Sequence, residues 1–252
     1  MNRGLYTLAS GGLAMERQLD AVANNVANAN TPGYKAERFV FESSPLLNGP
    51  LPPVDDPVLL ELIPQVVESL QRRDFSPGPI TTTGNPLDVA IGNPTAFFAV
   101  STPRGERYTR QGTFALDAEG FLVAGNGQRV QGEGGDIRID QREGALDIAD
   151  DGTLWVDQVR IDRLRLVDFG PSPRLVPEGA ETFAPVPGVF GSELQAEAVS
   201  LTQGALERSN VDPVKGVTQL VEIARGYESY MRAITRLDEI ARRTIDEVGR
   251  VG

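Results

Sequence analysis

The stretch VANNVANANTPGYK, residues 22–35, decides how this chain begins. An apolar run at helical spacing precedes it. The stretch itself contains four asparagines within seven residues, and Thr31-Pro32-Gly33 follows them. Asparagine is a poor residue for a helix interior, because its side-chain amide competes with the backbone for hydrogen bonds. The Pro32-Gly33 pair predicts that a helix stops at this point.

Two helices are predicted, one at each end of the chain. Residues 5–29 indicate a heptad seam, because their apolar positions alternate spacings of three and four. The seam consists of Leu5, Leu8, Gly12, Met15, Leu19, Val22 and Val26. Asp212-Pro213 supplies an N-cap and a preset first residue for the second helix. The contact positions expected on that helix are Val217, Leu220, Tyr227, Met231 and Ile234.

The middle of the chain predicts a β domain. Short apolar runs there follow a period of two and are separated by Gly-, Asp- and Asn-rich turns, which is typical of antiparallel strands. The fold class expected is therefore α+β. The predicted divisions are an N-terminal assembly helix (1–35), an extended Pro/Gly-rich connector (36–79), a central antiparallel β domain (80–208) and a C-terminal assembly helix (209–252).

Composition excludes several classes of function. The net charge is −11, which argues against binding a nucleic-acid backbone. The chain has no His and no Cys, so Ser-His-Asp and Cys-His catalysis are excluded. No stretch approaches the length of a membrane-spanning helix, and the N-terminus lacks the pattern of a Sec signal. We expect no catalytic residues, no cofactor and no metal.

Three local features could in principle carry chemistry. The glycine-rich run at residues 125–135 lacks the lysine and the spacing of a phosphate-binding loop, so hairpin turns are the better interpretation. The acidic doublets Asp55-Asp56 and Asp150-Asp151 lack EF-hand spacing and are more typical of turns. Trp155 could stack on a sugar, although a lone Trp within a strand is more often a core residue.

The segment LASGGLAMERQLDAVANNVANANTPGYK (8–35) resembles the N-terminal signature of the bacterial flagellar rod and hook proteins, whose first helix ends in an ANNxANxNTxGYK-like sequence. Residues 81–123 are similar to the central β segment of that family. Residues 203–240, with their Ser-Asn-Val start, are similar to its C-terminal helix block. The GLYTLASGG opening and DRLRLVDFG (162–170) resemble proximal-rod members most, and a distal-rod paralogue is the alternative.

This resemblance implies a structural subunit of the flagellar basal-body rod rather than an enzyme. The terminal helices would pair as a coiled-coil-like stalk in an inner tube, with the β domain outside. Implied partners are copies of the chain itself, other rod and hook axial proteins, and the flagellar type III export apparatus. The implied location is the periplasmic part of the rod. Further assembly residues are then expected at Asn24, Asn25, Asn28, Asn30, Thr31, Pro32, Gly33, Tyr34, Ser209, Asn210 and Val211.

The sequence leaves alternative interpretations open. The asparagines either bond across crowded contacts between subunits or form a frayed helix end. A secreted carbohydrate- or peptidoglycan-binding β module, or a two-carboxylate hydrolase, would be favoured by a pocket lined with Trp155 or paired acids. For a rod subunit, the ends at 1–30 and 215–252 are expected to order on assembly, around a core of about 76–205.

Overall fold

The computed structural model describes residues 2–43, 67–139, 146–179 and 181–250. They form two long helices, α1 (Asn2–Ala27) and α2 (Pro213–Arg250), and a series of short strands. A single-turn 3₁₀ helix spans Ala196–Ala198. The strands are β1 (Glu37–Ser43), β2 (Val67–Arg73), β3 (Ile80–Thr82), β4 (Val89–Ile91), β5 (Ala96–Thr102), β6 (Gly105–Thr109), β7 (Phe114–Leu116), β8 (Leu122–Ala124), β9 (Arg129–Gly132), β10 (Gly135–Asp136), β11 (Leu146–Ile148), β12 (Thr153–Val156), β13 (Val159–Arg163), β14 (Leu166–Asp168), β15 (Leu175–Pro177), β16 (Thr182–Pro185), β17 (Ser192–Glu193), β18 (Leu201–Gln203) and β19 (Ala205–Glu207).

The structure confirms the predicted start of the second helix but not the predicted end of the first. Helix α2 begins at Pro213 as expected, and the Asp212 carboxylate accepts hydrogen bonds from the backbone N–H groups of Val214 (3.0 Å) and Lys215 (3.2 Å). Helix α1 ends at Ala27, before the predicted stop at Pro32-Gly33. The reason is a turn that starts at Asn28, whose carbonyl accepts from the N–H of Thr31 at 3.1 Å.

The chain forms two compact units. The first comprises Met1–Ala27, Glu37–Arg73 and Asp212–Gly252. Its described residues form α1, α2 and the antiparallel pair β1–β2, in which Glu37 lies opposite Arg73 and their side chains form an ion pair at 2.8 Å. The acidic doublet Asp55-Asp56 lies outside the described residues.

The second unit comprises Asn28–Ala36 and Asp74–Val211, and we call it the β unit. All of its strand pairings among described residues are antiparallel, as the sequence predicted. In the largest sheet the strand order is β15-β16-β6-β5-β9-β8-β7, and β14 also pairs with β5. Strand β5 is central because Ala96–Val100 is buried on both faces, which suits its continuous apolar run.

The predicted hairpin turns are confirmed where β7 meets β8, β8 meets β9, and β11 meets β12. Between β11 and β12, the Asp151 carboxylate accepts from the Thr153 N–H at 2.9 Å. The doublet Asp150-Asp151 is therefore part of a turn. Among the described residues, no group of three or more His, Cys, Asp or Glu side chains could hold a metal ion.

The C-terminal end of the β unit returns to its beginning. Strand β18 pairs with β4, and β19 pairs with β3, so the last strands of the unit lie beside its first. This closure brings sequence-distant segments together at residues 205–210.

An aromatic cluster forms around Phe97 and Phe183. Phe75 packs edge-on against both rings, at centroid distances of 5.6 and 5.1 Å.

Candidate assembly site

Helices α1 and α2 pack against each other in antiparallel directions. Gly11 and Gly12 lie against Tyr230, whereas Gly216 lies against Val26. A Cβ added to Gly11 would meet the Tyr230 hydroxyl oxygen at 2.3 Å, and one added to Gly216 would meet Val26 Cγ2 at 2.5 Å. Glycine therefore allows a close helix approach at both contacts, and the apparent gap in the heptad seam at Gly12 is occupied by the Tyr230 ring.

The predicted seam residues are buried to different degrees. Gly12 is buried, and half-buried positions are Met15, Leu19, Val22, Val26, Leu220, Tyr227 and Ile234. Val217 and Met231 remain 51% and 42% exposed. The side chains of Leu5 and Leu8 lie outside the described part of the structure.

Exposed apolar side chains follow one side of α2. Val214, Val217 and Val221 are 74%, 51% and 43% exposed, at the spacing of three and four that places them on one helix face. Met231 lies three turns further along at 42% exposure. We call these four residues the α2 apolar row.

Asn25, Asn28 and Asn30 bond within their own chain. The Asn25 amide donates to the Glu37 carbonyl at 2.8 Å, and its Oδ1 accepts from the Glu37 N–H at 2.7 Å. Asn28 Oδ1 accepts from the Thr31 hydroxyl at 3.2 Å, and Asn30 Oδ1 accepts from Arg208 at 3.2 Å. Asn24 is exposed. The side-chain amide of Asn25 thus pairs with both the N–H and the carbonyl of Glu37, as the backbone of a neighbouring strand would.

The loop at residues 28–36 packs into the β unit. Tyr34 and Lys35 are 2% and 1% exposed, and Thr31 and Pro32 are half-buried. Gly33 has a φ of +70°, and its N–H donates to the Glu207 carbonyl at 2.8 Å. The TPGYK ending of the opening stretch is therefore a docking segment of the β unit.

A buried ion cluster of Lys35, Arg110 and Glu207 lies beneath this loop. Lys35 Nζ is 2.7 Å from Glu207 Oε1, and Arg110 Nε is 2.8 Å from Glu207 Oε2. All three side chains are no more than 2% exposed. Buried charges are stable only when they are paired and hydrogen-bonded.

Backbone groups complete the cluster. Lys35 Nζ also donates to the Ser76 carbonyl at 2.8 Å, and Glu207 Oε1 accepts from the Gly78 N–H at 2.8 Å. Arg110 Nη1 donates to the carbonyls of Asn93 and Ala96. Burial lowers the pKa of the Lys35 ammonium, and the attraction of Glu207 opposes that shift.

Asn210 connects three further parts of the chain. Its Oδ1 accepts from the Ala36 N–H at 2.8 Å, and its amide donates to the Asp74 carbonyl at 2.8 Å. The Asp74 N–H in turn donates to the Ala36 carbonyl at 2.8 Å, which closes a ring of three hydrogen bonds. Ser209 is buried beside it, and its hydroxyl accepts from the Val211 N–H at 3.2 Å.

The sequence predicts Asn210 and Tyr34 as assembly residues, but it does not predict the ion cluster. The available signal was weak: Lys35 is one of two lysines in the chain, and it directly follows the Pro-Gly turn. Arg110 and Glu207 carried no motif, because the ion pairs that Glu207 makes with Arg110 and Lys35 join residues 97 and 172 positions apart.

The features that would have favoured a sugar-binding or hydrolytic site do not coincide. Trp155 is half-buried in β12, opposite Asp147. A cavity of about 200 Å³ lies elsewhere in the described part of the structure, and neither Trp155 nor Asp147 lines it. It is lined by Thr102, Pro103, Arg104, Arg107, Gln128, Glu178 and Thr182. No helix among the described residues is long and apolar enough to cross a membrane.

The protein is an α+β structural subunit. It has paired terminal helices and an antiparallel β unit in which the last strands pair with the first. Comparison with known families gives three matches in chain order. Residues 5–35 match the flagella basal body rod protein family, 92–156 the D1 domain of flagellar hook protein FlgE/F/G, and 202–247 the C-terminal region of flagellar basal body rod FlgEFG proteins.

Whole-chain relatives agree. The chain is 34% identical over 252 residues to the flagellar basal-body rod protein FlgF of Caulobacter vibrioides, covering 100% of both chains. It is 31% identical to FlgF of Mesorhizobium japonicum, covering 91% of this chain and 90% of the relative. It is 30% identical to the rod protein FlgG of Agrobacterium fabrum, covering 95% and 97%. The chain belongs to the flagellar basal-body rod protein family, a family of structural proteins rather than enzymes.

Proposed function

We propose that this protein is a structural subunit of the flagellar basal-body rod that polymerises through its terminal helices. Membership of the rod family supports the location, and the antiparallel packing of α1 and α2 supports the helices as the contact surface. In this proposal the helices form a coiled-coil-like stalk in the inner part of the rod. Neighbouring subunits are copies of the chain and other rod and hook axial proteins.

The observation that carries the proposal is the α2 apolar row. Four large apolar side chains exposed along one helix leave apolar surface in water, which costs free energy roughly in proportion to its area. Neighbouring helices in a rod would cover it. Contacts of this kind, repeated head to tail without closing, generate a helical tube.

Two finer statements belong to the same proposal. The resemblance to FlgF-type relatives favours the proximal rod over the distal rod, and the subunit would then lie in the periplasmic part. Export by the flagellar type III apparatus would deliver the chain there. The residues from Asn24 to Tyr34 and the Ser209-Val211 segment would contribute to assembly by setting where the helices begin and end.

The test is complementation of a strain that lacks the gene. Val217→Asp combined with Val221→Asp places two charges in the α2 apolar row while leaving the helix-pair glycines unchanged. We expect the purified monomer to keep its helix content, since both side chains are already exposed, and the cells to lose rod completion and motility. Basal bodies are imaged, and swimming halos are measured.

Val159→Asp in β13 is the matched control, because Val159 is 61% exposed in the β unit and lies outside both helices. Motility should survive this change. Normal rods in the double helix variant, or in the deletion strain itself, would reject the proposed function.

A further inference from the structure

The β unit is entered and left by the chain at four points. Its two segments run from Asn28 to Ala36 and from Asp74 to Val211, so α1, β1, β2 and α2 are each attached next to one of these ends. The segment ends Ala36 and Asp74 lie in the hydrogen-bonded ring with Asn210, the residue before Val211. Three of the four ends are therefore tied together by one side chain.

The fourth end is tied through the same C-terminal segment. Gly33 donates its N–H to the Glu207 carbonyl, and Asn30 accepts from Arg208 at 3.2 Å. Lys35, which follows two residues later, is held by the Glu207 carboxylate. Thus residues 207–210 hold the loop that follows α1 as well as the chain that leads into α2.

We propose that Glu207 and Asn210, with Lys35 and Arg110, are positioning residues for rod assembly. They fix the four ends of the β unit in one arrangement, so that the elements attached there start from defined points. The inference rests on the proposed function for its assembly arm. Its structural arm, the ordering of the four ends, stands independently.

The chemistry of the ion cluster supports a positioning role over simple stabilisation. Replacing a buried ion pair by well-packed apolar side chains is often neutral or stabilising, so burial of charge is a poor way to gain stability. Charged hydrogen bonds are directional, however, and each Glu207 oxygen accepts from a different cation. Glu207 Oε1 also accepts from Gly78, which fixes the chain just after Asp74.

Asn210→Ala tests the role directly in the full-length protein. The backbone N–H of Ala36 should exchange with solvent about 10- to 100-fold faster, because it loses its Asn210 acceptor. The amides of β5 should keep their protection. Rod completion should fail in complemented cells although the protein is produced and folded.

Asn85→Ala is the matched control. Asn85 also makes one donor and one acceptor bond in the β unit: its amide donates to the Asp88 carboxylate at 3.0 Å, and its Oδ1 accepts from the Leu87 N–H at 3.3 Å. This variant should speed exchange at Leu87 and leave assembly intact. Asn210→Asp keeps the acceptor for the Ala36 N–H but loses the donor to the Asp74 carbonyl, so it should restore slow exchange at Ala36.

Glu207→Gln is the second variant if Asn210→Ala does not fold. It should speed exchange at Gly78, whose N–H donates to the Glu207 carboxylate, whereas Glu106→Gln, which disturbs the half-buried pair with Arg165, should not. Unchanged exchange at the segment ends would overturn the structural arm. Faster exchange with normal rods would overturn the positioning role while leaving the rod function in place. Equal loss of rods in Asn85→Ala would also contradict it.

Discussion

At the scale of single residues, Gly33 explains why the opening stretch ends in Pro-Gly. Its φ of +70° is a conformation that side chains with a Cβ rarely adopt. A Cβ there would also meet the Gln111 backbone nitrogen at 2.5 Å. The motif that looked like a helix terminator is thus also a close backbone approach, and it places Tyr34 and Lys35 in the β unit.

Lys35 makes the stability of the protein depend on pH in a particular direction. Its folded pKa is lowered by burial, so between that pKa and the unfolded value of about 10.4 the unfolded state binds more protons. The free energy of unfolding therefore gains a contribution as pH rises through this window, by at most about 1.4 kcal/mol per pH unit for one proton. Comparing the wild type with Lys35→Met isolates this contribution.

We expect the difference in unfolding free energy, wild type minus Lys35→Met, to increase as urea titrations move from pH 7 toward about pH 10. Tyr108 also titrates abnormally, because burial and its bond to Glu106 raise its pKa. Tyr108 is present in both proteins, so its effect cancels in the comparison. A difference that stays flat or decreases would show that Lys35 remains fully charged through the window.

At the scale of elements, Asn25 joins α1 to β1 through both of its amide groups. The sequence-based hypothesis used this amide between subunits, whereas the structure gives it two bonds to Glu37 of the same chain. We propose that Asn25 contributes to assembly through the placement of β1 after the helix.

Asn25→Leu should destabilise the isolated protein. Leucine gains a few tenths of a kcal/mol in helix propensity, but two Glu37 backbone groups lose their partners at roughly 1–3 kcal/mol each. Asp20→Leu is the control on the same helix, since Asp20 is exposed, and it should be neutral or slightly stabilising. Chemical denaturation followed by circular dichroism measures both. Equal stability of the two variants would reject the role assigned to Asn25.

The elements that the sequence predicted are those with local signals. The N-cap of α2 lies within three residues of the groups it binds, and the hairpin turns lie between strands that pair with each other. The end of α1 was misplaced because Pro32-Gly33 is a stop signal for a helix that had already ended. The ion cluster could not be predicted, since Lys35 and Glu207 are 172 residues apart.

At the scale of the whole molecule, burial is unevenly distributed between the two units. The β unit holds the large apolar cluster around β5 and the aromatic cluster around Phe97. In the first unit, the buried apolar side chains among those the structure describes are the small ones of Ala14 and Ala21. A helix pair with so little described core depends on further packing for its stability.

The isolated monomer should therefore unfold in two steps. Helical ellipticity at 222 nm should be lost first on heating, because the described parts of the helices bury little apolar area. Fluorescence of Trp155 in β12 should change later, with the β unit. In assembled rods the helices gain neighbours, so their transition should move up toward that of the β unit. Trypsin added to dilute monomer below the second transition should trim the helices and leave the β unit resistant. A single coincident transition in dilute monomer, with no early trimming, would mean that the helices are stable without assembly.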